Sequence, residues 1–202
     1  MNRPPIIQGK FYHIYNRGNN GENLFYEKEN YLYFLKLYEK YMEPIIETYA
    51  WVLLKNHFHL LVYIKEQNEI NIKKLSYSTT KKPKTINASR QFSHFFNAYT
   101  QAINKRHHRT GSLFEKDFER IEVTSDKYFQ NLIYYIHNNP VKHGFVDSMI
   151  EYPWSSYGTI ISTKSTKLKR NSVIEIFDDL DNYKYFHSKK QNLNNINDLL
   201  IE

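Results

Sequence analysis

The chain contains no cysteine, and that absence excludes disulfides, thiolate-held zinc and a cysteine nucleophile together. Any metal would have to be held by imidazole, carboxylate, amide or water. No stretch approaches the roughly 20 consecutive apolar residues of a membrane-spanning helix, so no membrane partner is expected. Residues 1–10, Met-Asn-Arg-Pro-Pro-Ile-Ile-Gln-Gly-Lys, lack the apolar centre of a secretory signal, which makes the cytoplasm the expected location. No internal repeat is visible. With 202 residues, 41% of them hydrophobic and 24% charged, the chain can bury a real core.

The net charge of +7 is unevenly spread. Between Lys73 and Arg120 there are 11 lysines and arginines against three acids, Glu115, Asp117 and Glu119; the remainder carries 17 basic and 18 acidic residues. A basic segment interleaved with Phe and Tyr suits a polyanion, whose phosphates it neutralises and whose unpaired bases its rings can stack on. For residues 73–84 a solvated lysine-rich loop is the plain alternative.

Phe11–Asn16 reads as an aromatic strand closed by the turn residues Arg17-Gly18-Asn19-Asn20-Gly21. Tyr31, Phe34, Leu35 and Tyr38 recur at helical spacing over Lys28–Met42, ahead of Pro44. Ile45–Leu54 and His57–Lys65 are apolar strands separated by Lys55-Asn56, a tight hairpin. Gln67–Asn87 reads as a mobile connection. Ser89–Arg106 is a helix with Phe92, Phe95, Phe96, Tyr99 and Ile103 on one stripe, and Glu115–Thr124 alternates as a last strand. The order strand, helix, strand, strand, helix, strand predicts an α+β fold. It is ferredoxin-like (RRM-like), an antiparallel sheet with both helices on one face and the other face left for a ligand. A further helix begins at the Ser125-Asp126 cap and is expected to end at Pro140, the residue preceding a proline being disfavoured in helical conformation. Residues 1–150 form one domain in this reading, and 151–202 a mostly helical extension.

Within the hairpin stands His57-Phe58-His59. On a strand, residues two apart share a face, so both imidazoles point one way while Phe58, Leu60, Val62 and Ile64 point the other. This is half a metal site, or else a strand with two surface histidines. On the last helix Asn139 follows Tyr135 by four residues, which puts both on one face. Two same-face histidines, a helical tyrosine and a basic aromatic surface fit phosphodiester chemistry with a tyrosine nucleophile. A divalent cation would polarise the phosphate. Tyr134, about 100° away around the helix, is the rival nucleophile, and a core aromatic is the plain reading of either.

Five segments resemble the HUH single-tyrosine transposases, in particular their REP-associated tyrosine transposase branch. They are Tyr12-His13-Ile14-Tyr15-Asn16-Arg17-Gly18; Ala50 to Val62 through Asn56-His57-Phe58-His59; Arg109-Thr110-Gly111-Ser112-Leu113-Phe114; Tyr135-Ile136-His137-Asn138-Asn139-Pro140-Val141-Lys142-His143-Gly144; and Pro153-Trp154-Ser155-Ser156-Tyr157. The resemblance implies His57, His59 and Asn139 as ligands of Mg2+ or Mn2+ and Tyr135 as the catalytic residue. It implies cleavage and rejoining of single-stranded or hairpin DNA through a 5′-phosphotyrosine. His13, Arg17, Arg109 and Lys142 are candidate DNA contacts, His13 lying on the strand beside that of His57 where it could approach the metal or a phosphate, with a surface histidine as the plain alternative; His107-His108 is a basic turn, and His137 is not expected among the ligands. Lys55 stands where the family usually has proline. Related enzymes include monomers and helix-exchanging dimers, so a homodimer stays open. The rival readings are a replication-initiator or relaxase-type nicking enzyme and a non-catalytic single-strand-binding module.

Overall fold

The computed structural model describes residues 4–70, 75 and 86–193. Strands β1 (Phe11–Arg17), β2 (Ile46–Leu54), β3 (His57–Ile64) and β4 (Glu119–Val123) form one sheet in the order β2-β3-β1-β4, every neighbouring pair antiparallel. Helix α1 (Lys28–Met42) joins β1 to β2, and α2 (Ala88–Arg106) joins β3 to β4. That is the expected ferredoxin-like topology. Helix α3 (Asp126–Lys142) follows β4, and α4 (Tyr157–Ile161), α5 (Arg170–Ile176) and α6 (Leu180–Ser188) complete the described chain. Most of Gln67–Asn87 and the apolar Leu199–Ile201 lie outside the described residues. Among the described residues no helix is long and apolar enough to cross a membrane.

Alternation along β3 sorts the two faces of the sheet. Phe58, Leu60, Val62 and Ile64 enter a core with Phe34 of α1 and Phe92, Phe95, Phe96 and Tyr99 of α2. The rings of Phe34 and Phe58 lie 5.4 Å apart, and those of Phe34 and Tyr99 5.0 Å, edge to face. Tyr99 is completely buried, and its hydroxyl donates to the Leu24 carbonyl at 2.7 Å, so its polar tip is satisfied.

The opposite face departs from the sequence reading, because it is covered. Ala50, Val52, Leu54 and Leu61 pack against Phe129, Leu132, Ile133 and Ile136 of α3, backed by Val173, Phe177 and Tyr183. The reason lies in β2, whose run Ile-Glu-Thr-Tyr-Ala-Trp-Val-Leu-Leu is apolar on both faces over its second half. A strand of that kind is stable only with cover on both sides. The outer edge of β2 is capped as well. Leu53 N–H donates to the Trp154 carbonyl and Ser156 N–H to the Trp51 carbonyl, each at 2.9 Å, which blunts an otherwise open sheet edge.

Two boundaries differ from expectation for local reasons. The last strand starts at Glu119 and not Glu115, because Asp117 adopts φ 57°, a left-handed turn conformation that breaks the extended run. Helix α3 passes through Pro140 and continues to Lys142. A proline so near the helix end keeps helical φ and forfeits one bond, to the Ile136 carbonyl. His143 N–H then closes on the Asn139 carbonyl at 3.0 Å, and Gly144 leaves the helix at φ 69°.

Candidate active site

The Lys55-Asn56 turn sets the first histidine. Leu54 and His57 pair directly across the hairpin, so the lysine leaves the turn tight. The Lys55 carbonyl accepts from Leu24 and Phe25 N–H at 2.9 and 3.0 Å. His57 and His59 then share the α3 side of β3, their rings 5.3 Å apart and nearly perpendicular. Helix α3 brings Asn139 over them: its Oδ1 lies 3.3 Å from His57 Nε2. One turn earlier the Tyr135 ring meets His59 edge-on at 5.2 Å. Four residues that the sequence spreads from 57 to 139 are thus brought together.

The two imidazoles are held alike on their inner nitrogens. His57 Nδ1 faces Asn56 Oδ1 at 2.8 Å, and His59 Nδ1 faces His13 Nε2 at 3.0 Å. His59 Nε2 and Asn139 Nδ2 are buried and lack a hydrogen-bond partner. Burial drives the His57 pKa down to about 4, the Asn139 contact opposing it and the His143 and Arg17 charges adding to it. Burial likewise pushes His59 well below the ordinary imidazole range, and His13 to about 3. All three rings are neutral near pH 7, the form in which an imidazole nitrogen can coordinate a metal.

This donor set fits a divalent cation. Asn56 Oδ1 can only accept, so His57 carries its proton on Nδ1, and its Nε2 and Asn139 Oδ1 become two acceptors facing each other. A cation between them would satisfy both, and 3.3 Å is close to the spacing of adjacent ligands each about 2.1 Å from one ion. Among the described residues no cluster of three or more His, Cys, Asp or Glu could hold a metal. The set is two imidazoles and an amide, which leaves coordination positions for water or substrate oxygen.

The remaining expected site residues sort by burial. His13, expected near the metal or a phosphate, is completely buried against His59, 0% exposed. Arg17 lies opposite His57 across β1 and β3 and pairs with Glu115, Nε to Oε1 2.6 Å. Arg109, in the chain's basic turn, bonds Asn104 Oδ1 at 3.0 Å and lies 3.8 Å from Glu22. Lys142 is exposed at the end of α3, and its charge helps lower the His59 pKa. Tyr134 faces the other way, its ring against Phe186 and His187. His107 stacks on Tyr26 at 4.5 Å.

Two features lay outside the sequence reading. The first is His143, exposed at the end of α3, whose ring lies 5.3 Å from that of His57. It follows Asn139 by four residues and Tyr135 by eight, so the helical spacing that linked those two also reaches His143. The second lies on the far side of α3. His187 Nδ1 is 2.8 Å from the Tyr183 carbonyl, His137 Nδ1 is 3.2 Å from His187 Nε2, and His137 Nε2 is 2.8 Å from Ser156 Oγ. A carbonyl only accepts, so His187 donates from Nδ1 and its Nε2 faces His137 Nδ1, which the Tyr183 hydroxyl also approaches at 3.2 Å. The Ser156 oxygen accepts Trp51 N–H at 2.9 Å. Burial lowers the pKa of both rings.

No protein-family model matches the chain. A curated Haemophilus influenzae protein named as a REP-associated tyrosine transposase is 29% identical over 112 residues, covering 55% of this chain. The likeness is to the REP-associated tyrosine transposases. It extends to the fold: a solved structure of such a transposase bound to a REP hairpin superposes with a TM-score of 0.59 at 19% identity, over 81% of this chain and 86% of that one. The chain spans 58% of the length of the Haemophilus relative. The REP-associated transposases therefore share with this chain both a stretch of sequence and the sheet-and-helix frame that carries its histidines.

Proposed function

We propose that this chain cleaves and rejoins single-stranded DNA at hairpin-bearing sites, using a divalent metal and a 5′-phosphotyrosine intermediate. One observation carries the reading. Tyr135 and Asn139, one turn apart on α3, meet His59 and His57 of β3 at 5.2 Å between rings and 3.3 Å between polar atoms. Mg2+ or Mn2+ held by His57, His59 and Asn139 would supply Lewis acidity to the scissile phosphate. The Tyr135 oxygen attacks phosphorus and gives up its proton. The bond from phosphorus to O3′ breaks, and the departing oxygen takes a proton from solvent to become the 3′-hydroxyl. Attack by a 3′-hydroxyl on the phosphotyrosine restores a phosphodiester and the tyrosine. The polarity of the linkage and the preference for hairpins follow from the resemblance, and the structural relative's bound REP hairpin supports the second. Arg17, Arg109 and Lys142 serve as contacts to DNA phosphates, residues 1–150 as the catalytic domain, 151–202 as its extension. The cytoplasm is the location, and a homodimer is compatible with this scheme.

The test is incubation with labelled hairpin DNA and Mn2+, followed by denaturing electrophoresis. Wild type and Tyr134→Phe should form a denaturant-resistant adduct, and Tyr135→Phe none. An adduct from Tyr135→Phe overturns the choice of nucleophile. A wild type that binds hairpins tightly and never forms an adduct overturns the enzymatic reading in favour of a binding module.

A further inference from the structure

We propose that His13 is a positioning residue, whose Nε2 accepts the Nδ1–H of His59 and so holds His59 in the tautomer that presents Nε2 to the cation. This rests on the metal-dependent reading above and adds to it the residue that sets one ligand.

The two ligand histidines differ in how their protons are placed. His57 is fixed by an amide oxygen, Asn56 Oδ1 at 2.8 Å, which has no proton to give. The partner of His59 is another imidazole, His13 Nε2 at 3.0 Å from His59 Nδ1, and an imidazole nitrogen can give or take. With the His13 proton on Nδ1, its Nε2 accepts, His59 donates from Nδ1, and the lone pair of His59 Nε2 is available for a metal. With the His13 proton on Nε2, the order reverses, and His59 Nε2 carries hydrogen and cannot coordinate. The choice made by His13 therefore decides whether His59 is a ligand at all. Groups that orient a ligating histidine in this way typically alter metal affinity about 10–100-fold when removed.

Several contacts hold the ring of His13 in place, its Nδ1 buried without a hydrogen-bond partner. It is 0% exposed. Its ring lies over that of Tyr15 at 4.6 Å, nearly parallel to that of His59 at 5.1 Å and edge-on to Tyr135 at 6.2 Å. Rotation of the imidazole is blocked on those sides, and the ring touches both a ligand and the nucleophile. In β1 it pairs across with Leu61 and not with His59, so the contact is diagonal, within reach of long and aromatic side chains.

Mn2+ binding to the full chain without DNA, followed by the loss of the free-ion electron paramagnetic resonance signal, tests the inference separately from catalysis. Wild type should bind Mn2+. His13→Phe, which keeps a ring and loses the acceptor, should bind about 10–100-fold more weakly. His13→Gln, with an amide oxygen in place of the ring nitrogen, should stay close to wild type, and His13→Phe should recover adduct formation at saturating Mn2+. A folded His13→Phe that binds Mn2+ as wild type does overturns the role of His13 and leaves the metal reading standing. A wild type that binds no Mn2+, or a His57→Ala variant that binds it equally well, overturns the metal reading itself. The imidazole nitrogen resonances of unsubstituted, metal-free protein give the same answer without any variant. Protons on Nδ1 of both His13 and His59 are expected, and a proton on His59 Nε2 overturns the assignment.

Discussion

Replacing Ser156 by alanine removes one oxygen and breaks the link that ties α3 to β2 behind the candidate active site. Ser156 is completely buried; its Oγ accepts Trp51 N–H at 2.9 Å and shares a hydrogen bond with His137 Nε2 at 2.8 Å. Alanine leaves both partners unsatisfied in a place closed to water. Each such orphan costs about 1–3 kcal/mol, so the variant should lose roughly 2–6 kcal/mol of folding free energy. With a urea slope of about 2 kcal/mol per molar, the midpoint of denaturation should fall by about 1–3 M at unchanged slope, read by circular dichroism. A cycle with His137→Leu sharpens the test. Once His137 is gone, half of the Ser156 contribution is already lost, so the double variant should cost less than the two singles added, by about 0.5–3 kcal/mol. A midpoint shift below about 0.3 M, or strict additivity, would refute the coupling between Ser156 and His137.

Four further outcomes follow from particular contacts. His187, its pKa lowered to about 4 mainly by burial, must be neutral in the folded chain while its unfolded pKa is about 6.5. Its contribution is therefore complete above pH 6.5 and is lost as pH falls toward 4, at about 1.4 kcal/mol per pH unit. Melting temperature should decline over that window, and less so for His187→Phe. Gly18→Ala should destabilise strongly, because a Cβ there would sit 1.8 Å from the Glu22 carbonyl oxygen; a melt within a degree of wild type would contradict the turn geometry. Trp154→Ala removes the stack on Tyr31 at 4.4 Å and should cost about 3 kcal/mol, read in urea. If Lys142 contacts a DNA phosphate, Lys142→Ala should flatten the salt dependence of single-strand binding by about 0.7 in log-log slope; an unchanged slope would remove it from the interface.

How much of this was legible in the sequence depends on the range of the signal. The period of 2 on β3 placed His57 and His59 on one face and Phe58, Leu60, Val62 and Ile64 on the other, and the i, i+4 step joined Tyr135 to Asn139; both are local, and the structure keeps them. The same step reached His143 and was not followed that far. What failed was long-range or required the register. The sequence put His13 on the strand beside that of His57, but its contact with His59 is a diagonal across two strands, and no spacing along the chain fixes that register. His137 meets His187 across 50 residues, through an extension with no periodic pattern to place it. The cover on the second face was written in the two-sided apolar character of β2, a signal of composition that the search for a free ligand face passed over.

On the proposed function, that cover bears on how DNA would reach the site. Tyr135 is 3% exposed and Asn139 and His59 each 1%, whereas Lys142 and His143 at the end of α3 are exposed. Arg17 beside His57 keeps a side chain 40% accessible. A DNA strand would then approach from the C-terminal end of α3, and Tyr135 would have to gain exposure before the proposed attack. Nitration of the protein without DNA tests the closed state directly. Tyr185, 66% exposed, should be modified early and Tyr135 late, as peptide mapping by mass spectrometry would show. Equal rates at the two positions would mean that α3 already opens in the free protein. Protection that disappears when Mn2+ and hairpin DNA are added to His59→Ala, which cannot complete the donor set, would place the opening in DNA binding and not in the metal.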